Sequence, residues 1–264
     1  MSDAGFIPAT ASRRWPFVVG GPGAARRRAW NGRLLLSWGT FEALAGIQSR
    51  DHRETWRFRS RESLATFLRG PGVGVDHPSR VFATTRVHPG ETVLDVGCGA
   101  GVQYEAFAAA GLTAGYVGVD SSEPSIDIAR ELHPRGEFRV GNAHALVRDF
   151  GERSFDVVHV RHLLEHLPDF EDAMIEALGV ARRLALFVFF LTPRDLPFGV
   201  RKINARLNPE IYTYVYSQRA IEAVLARRGL PWQWTLGVGT SRAGWLAGEV
   251  NSILEVRCET SDAV

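Results

Sequence analysis

Residues Val93-Leu94-Asp95-Val96-Gly97-Cys98-Gly99-Ala100-Gly101 run from an apolar stretch straight into three glycines at alternate positions, and helical spacing resumes at Gln103. Few folds use a buried strand that enters a glycine turn and then a helix. Glycines remove the Cβ atoms that would keep a ligand away from the backbone, and the helix that follows aims unpaired N–H groups at an anion. Asp120 closes the next apolar run, Gly118-Val119-Asp120, 23 residues after Gly97. An acid about 20 residues beyond such a loop is placed to accept hydrogen bonds from ribose hydroxyls. Taken singly, the glycines fit a tight turn without a ligand and Asp120 fits a helix N-cap. Together they point to a cofactor. The spacing Gly97-x-Gly99-x-Gly101 does not meet the Gly-x-Gly-x-x-Gly fingerprint of nicotinamide dinucleotide sites.

Around this unit short apolar runs alternate with helical segments, as in an open, mostly parallel, doubly wound α/β sheet. Strands are predicted over Thr92–Val96, Ala114–Val119, Glu137–Val140, Phe155–Val160 and Leu184–Phe190, with helices near Gln103–Ala110, Glu123–Leu132 and Phe170–Arg182. A further helix is expected over Ser217–Arg228. The last two runs, Trp232–Val238 and Ser252–Cys258, have no room between them for a crossover helix and should pair antiparallel. Upstream, Leu34, Leu35, Trp38, Phe41, Leu44 and Ile47 recur at three- and four-residue intervals, which predicts an amphipathic helix from about Trp30. A second helix is expected over Arg61–Leu68, and Gly70-Pro71-Gly72-Val73-Gly74 ends the helical region. The expected organisation is a flexible basic arm over 1–29, an N-terminal helical region over 30–74 acting as a cap or dimer surface, and a main domain over 75–264.

Composition narrows the class without deciding it. With 45% hydrophobic and 23% charged residues the chain resembles ordinary globular proteins. Its two cysteines, Cys98 and Cys258, support neither a disulfide framework nor a cysteine zinc site, and no other metal site is visible in the sequence. A cytoplasmic protein without a secretory signal is expected. The longest apolar run, Leu184–Leu191, falls well short of the ~20 residues that span a bilayer. Net charge is only +2, yet residues 1–61 hold 11 arginines against four acids.

Read together, Asp95-Val-Gly-Cys-Gly-Ala-Gly101 and Gly-Val-Asp120 resemble the class I S-adenosylmethionine-dependent methyltransferase family, in its small-molecule branch. Gly141-Asn142-Ala143 stands where that family carries a Gly-Asp-Ala-like element against the adenine. The stretch from Phe155 through Arg161-His162-Leu-Leu-Glu165-His166-Leu-Pro168-Asp169 looks like its fourth-strand motif. The resemblance covers about residues 75–260 and implies a Rossmann-like, seven-stranded, mostly parallel sheet with an antiparallel C-terminal pair. By the resemblance Asp95 fixes the glycine loop and faces the methionine ammonium, and Gly97, Cys98, Gly99 and Gly101 pass beneath the methionine moiety. Asp120 takes the ribose, Ser121, Asn142 and Ala143 border the adenine, and Arg161 and His162 lie beside the transferred methyl group. Asn142 replaces the common acid, and its amide can still meet the ring edge.

The expected reaction is methyl transfer from S-adenosylmethionine to an O, N or C centre of a small-molecule acceptor. A hydroxyl acceptor must lose a proton, so a base is then required. His162 is the best-placed candidate, ahead of Glu165 and His166, while His159 lies inside a strand as a core histidine would. Tyr212, Tyr214 and Tyr216 share one face of an extended segment, as an acceptor wall or as packing over the core. The arginine-rich arm raises a nucleic-acid substrate as an alternative. Against it, Val160-Arg161-His162-Leu163 lacks the Asn/Asp-Pro-Pro-aromatic element of base-amine methyltransferases, and neither cysteine follows a proline. A non-catalytic cofactor-binding module is the other alternative.

Overall fold

The computed structural model describes residues 74–167, 170–190, 192, 198–204, 208–228, 232–240 and 250–258, with residue 62 and the short segments 18–19, 28–30 and 33–35. Among these, β1 (Val18–Val19), β2 (Arg28–Trp30) and β3 (Arg33–Leu35) precede α1 (Pro78–Thr84). The chain then runs through β4 (Val93–Val96), α2 (Val102–Ala109), β5 (Tyr116–Asp120), α3 (Glu123–Leu132), β6 (Glu137–Val140), α4 (Leu146–Phe150) and β7 (Phe155–Arg161). A 3-10 turn at Leu164–His166 leads to α5 (Phe170–Val180), β8 (Ala181–Phe189), β9 (Phe198–Asn204), β10 (Asn208–Tyr216), α6 (Gln218–Arg228), β11 (Trp232–Thr240) and β12 (Val250–Cys258).

The main sheet has seven strands in the order β11-β12-β8-β7-β4-β5-β6. Pairings from β8 to β6 are parallel, and β12 is antiparallel to both β8 and β11. Alternate residues of each strand serve opposite faces. Leu184 and Leu186 of β8 pack with α1, α2 and α3 through Ala83, Phe107, Ile126 and Ala129. Ala185, Phe187 and Phe189 face α5 and α6 through Met174, Leu178, Ile221 and Val224. Both faces of the central strands are therefore dry, which is why they read as continuous apolar runs. From β4 the chain builds outward to β5 and β6, then returns to the other side of β4 for β7 and β8. This reversal opens a crevice at the carboxyl ends of β4 and its neighbours, the usual ligand position in open α/β sheets.

Two expectations change. Where helical spacing predicted a helix from Trp30, β2 and β3 pair antiparallel with Trp30 opposite Arg33. Asn31-Gly32 between them is a strong two-residue hairpin signal, and it outweighs the periodicity of the leucines. The remainder of that helical region lies outside the described residues, apart from Glu62, as does most of the arm expected over 1–29, although Val18–Val19 pairs with Gly199 and Val200 of β9. The polar, proline-containing sequence over 193–209 predicts a long insertion after the fifth strand, yet part of that stretch is regular: β9 and β10 form an antiparallel hairpin. Tyr214 and Tyr216 are buried with their rings parallel at 6.1 Å, and the Tyr216 hydroxyl donates to the Leu167 carbonyl. They pack over the core; the side chain of Tyr212 lies outside the described residues.

Because Phe187 is fully buried in the middle of the sheet, Phe187→Ala should cost about 3–5 kcal/mol of unfolding free energy in urea titrations.

Candidate active site

The glycine loop is shaped by backbone conformation. Gly97, Gly99 and Gly101 have φ of 73°, 55° and 82°, a region in which L side chains are strained. A Cβ on Gly101 would also stand 2.6 Å from the His133 ring and 3.0 Å from Phe138. The loop is tied to β5 by Gly97 and Cys98 N–H groups, which donate to the Val119 carbonyl at 2.7 and 3.1 Å. Asp120 completes the tie: its carboxylate accepts the Gly99 N–H at 3.0 Å and the Ser122 N–H at 2.8 Å. Burial raises the pKa of Asp120, and the two N–H donors oppose that rise. Ser121 sits between Asp120 and Ser122, whose hydroxyl caps α3.

Asp95 does something other than fix the loop. Its Oδ2 accepts the Tyr116 hydroxyl at 2.7 Å and its Oδ1 lies 2.8 Å from Nδ1 of His159. Both partners belong to neighbouring strands, so Asp95 links β4 to β5 and β7 beneath the loop, and Asp120 holds the loop itself. His159 is fully buried as a core histidine. The Cys98 thiol faces inward, against the space over Gly118 and beside Phe138. Its N–H is bonded to Val119 and its carbonyl to Gly101. Cys98 therefore shapes the loop and offers no side chain to a ligand.

The motifs did not single out Arg80. Its guanidinium is buried, donates through Nη1 to the Gln103 side-chain carbonyl at 3.3 Å, and leaves Nε without a partner in the structure. Burial lowers its pKa, and the charge of Asp95 opposes that shift. A second, half-buried guanidinium, Arg161, leaves the end of β7 and donates through Nε to the Ser79 hydroxyl at 2.9 Å. Burial first, and then the charge of Arg80, pull the Arg161 pKa well below that of a free guanidinium. Two cations crowded into a dry site favour an anion between or beside them. A signal for Arg80 was present in the sequence. Pro78 opens α1, and a basic residue in a first helical turn opposes the helix dipole. Such a placement needs a reason from outside the helix.

Asn142 and Ala143 follow β6 at the same edge. The Asn142 side-chain oxygen accepts the His144 N–H at 3.0 Å and lies 3.1 Å from Nδ1 of His144, which leaves the NH2 group as its donor. His162 has φ of 52°, one of two described non-glycine residues in the left-handed region. Its ring stacks on Phe190 at 3.8 Å and 6°. Burial first, then Arg161, Arg80, His166 and His77, drive its pKa well below the ordinary histidine value. The ring is therefore neutral at neutral pH. The site thus brings together the loop, Asp120, Asn142, Arg161 and His162 at one edge of the sheet. Among the described residues no group of three or more His, Cys, Asp or Glu side chains is arranged to hold a metal.

Residues 94–189, which span β4 to β8, match the family model described as a methyltransferase domain. The ubiquinone biosynthesis O-methyltransferase of Aromatoleum aromaticum is 40% identical over 84 residues, covering 30% of this chain and 35% of that protein. The enzyme of the same name from Hahella chejuensis is 35% identical over 119 residues, 42% of this chain and 49% of that protein. The chain thus spans between a third and a half of the length of these curated relatives. In three dimensions the chain is similar to the 1,6-didemethyltoxoflavin-N1-methyltransferase of Burkholderia thailandensis, with a TM-score of 0.53 at 18% identity over 69% of this chain and 79% of that one. An S-adenosylmethionine-dependent methyltransferase from Methanosarcina mazei gives a TM-score of 0.53 at 15% identity, over 67% and 96%. These structures share the fold. No helix among the described residues is long and apolar enough to cross a membrane.

The cap of α1 generates a pH prediction. Nδ1 of His77 accepts the Ser79 N–H at 3.2 Å and lies 2.8 Å from the Ser79 hydroxyl, so capping needs the neutral ring. Burial, with Arg161 and Arg80, lowers the His77 pKa to about 4. In the unfolded chain the same ring takes its proton at about 6.5. The unfolded state therefore binds more protons between these values, and stability must fall as pH drops from 6.5 towards 4. Urea unfolding across that range should show the decline, and His77→Asn, which can still cap, should flatten it.

Proposed function

We propose that the chain transfers the methyl group of S-adenosylmethionine to a small-molecule acceptor. The observation that carries this reading is the Asp120 carboxylate, held by the Gly99 and Ser122 N–H groups at the mouth of a left-handed glycine loop. The residues present fit the cofactor at three points. Asp120 keeps acceptor capacity for a ribose diol, since each oxygen has a second lone pair. Arg80, with its buried and unpartnered Nε, suits the methionine carboxylate, and Gly97, Gly99 and Gly101 leave the main chain open to the methionine stem. Asn142 and Ala143 would border the adenine, with the Asn142 NH2 donating to a ring nitrogen. The curated relatives named above act, by their names, as O-methyltransferases in ubiquinone biosynthesis, which supports an acceptor of small-molecule size. We place the reaction in the cytoplasm, in keeping with the buried free thiol of Cys98.

The bound cofactor supplies an activated methyl on a sulfonium, so the protein's tasks are orientation and exclusion of water. Arg161 and His162, at the exit of β7, would face the acceptor side, with His162 as the catalytic residue. The hairpin of β9 and β10 lies over the 3-10 turn that follows them, where Tyr216 bonds to Leu167, and would help to close that side.

Calorimetric titration tests the cofactor assignment. S-adenosylmethionine should bind saturably at one site per chain. Asp120→Ala and Arg80→Met should each weaken binding at least tenfold, since a hydrogen bond to a charged group contributes about 1.5–3 kcal/mol. A folded protein that does not bind the compound, or binds it equally well after both substitutions, would overturn the reading.

A further inference from the structure

Glu165 is buried at 1% exposure in the 3-10 turn just beyond His162. Its Oε1 accepts the Phe190 N–H at 2.5 Å and lies 3.4 Å from Nδ1 of His162. Phe190 follows β8, and its ring is the surface on which the His162 imidazole stacks. The His162 N–H donates to the Val188 carbonyl at 2.8 Å, which extends the β7–β8 ladder by one residue. One carboxylate therefore fixes both the ring that supports His162 and the nitrogen by which His162 is oriented. The left-handed backbone of His162 is strained for an L residue, and a conformation of this kind persists only where its surroundings over-determine it.

We propose that Glu165 is the positioning residue that holds His162 as a proton acceptor for a hydroxyl-bearing acceptor. This rests on the methyl-transfer reading above. A carboxylate can only accept, so Nδ1 must carry the imidazole proton, and the lone pair is left on Nε2. No group of the described residues bonds Nε2, and that atom is not among the buried orphans. Charged and titratable groups face the ring from every packed element: Arg161 and His166 from its own segment, Arg80 and His77 from α1 and the residue before it, and Glu165 beneath it. Burial first, and then these cations, keep the ring neutral, which is the form a base needs. A weakened base of this kind suits an acidic hydroxyl better than an alkanol. In the step, the acceptor O–H proton passes to Nε2 and the oxygen bonds to the methyl carbon. The carbon–sulfur bond breaks with both electrons left on sulfur, and the imidazolium returns its proton to solvent.

Nitrogen NMR of the histidine rings, recorded on the full chain without any ligand, reads the central claim. His162 should show protonated Nδ1 and bare Nε2, and Glu165→Gln should shift that ring towards a mixture of tautomers. With S-adenosylmethionine and 4-nitrocatechol as the probe acceptor, the acid limb of the kcat profile should lie below pH 6.5. Glu165→Gln should lower kcat about 10–100-fold at little change in KM and move the limb to still lower pH, because a negative neighbour of the imidazolium is lost. His162→Asn tolerates the left-handed backbone and should abolish the limb, which decides the matter if the Glu165 variant does not fold. A protonated Nε2 in the native protein, an unchanged limb in both variants, or a cofactor-binding protein that methylates 4-nitrothiophenol but not 4-nitrocatechol would overturn the proposal. Calorimetry on the same variants separates the two claims: absence of cofactor binding in the native chain defeats the methyl-transfer reading, whereas intact binding with these outcomes defeats only the role of Glu165.

Discussion

The site is organised around a buried carboxylate. Asp95 bonds Tyr116 on one side and lies against His159 on the other, so the three central strands share one polar junction inside an apolar sheet. Removing any member would leave its partners buried and unsatisfied, at about 1–3 kcal/mol for each group. The junction also supplies the negative charge that opposes the cost of burying Arg80. The glycine loop can then be thin and exposed to ligand, because the layer below it is rigid and the carboxylate beside it, Asp120, ties its backbone to β5.

Electrostatics divides the crevice into two regions. Near α1 and the end of β7, Arg80 and Arg161 make a cationic wall, and burial together with their field keeps His77 and His162 neutral. Near the ends of β5 and β6, Asp120 and Asn142 present acceptors and one amide donor. A ligand with a carboxylate at one end and a ribose and purine at the other matches this order. The same positive wall that favours the carboxylate would thus set the protonation state of the histidine beside the acceptor, so cofactor recognition and acid–base chemistry are linked through shared charges.

Much of the sheet was legible because its strands are short, apolar and separated by strongly periodic helices. Glu123–Leu132 and Glu137–Val140 were read to the residue, and the antiparallel end of the sheet followed from a loop too short for a crossover. The glycine loop and Asp120 were legible from spacing alone. The buried partners were not. Tyr116 and His159 look like ordinary strand residues until β5 and β7 flank β4, and Arg80 lies in a helix of seven residues that carries no motif. The role expected of Asp95 at the loop passed to Asp120, since the face on which a strand residue points depends on register. The pairing of β2 with β3 was missed for the opposite reason: the Asn31-Gly32 signal in the sequence competed with a periodic pattern, and the strand pairing prevailed.

The most direct test of this account is a crystal structure of the protein grown with S-adenosylhomocysteine. The account predicts both ribose hydroxyls within hydrogen-bond distance of Asp120 and the amino-acid carboxylate on the Arg80 guanidinium. A ligand bound away from the carboxyl ends of β4 and β5, or one whose carboxylate lies apart from Arg80, would contradict it.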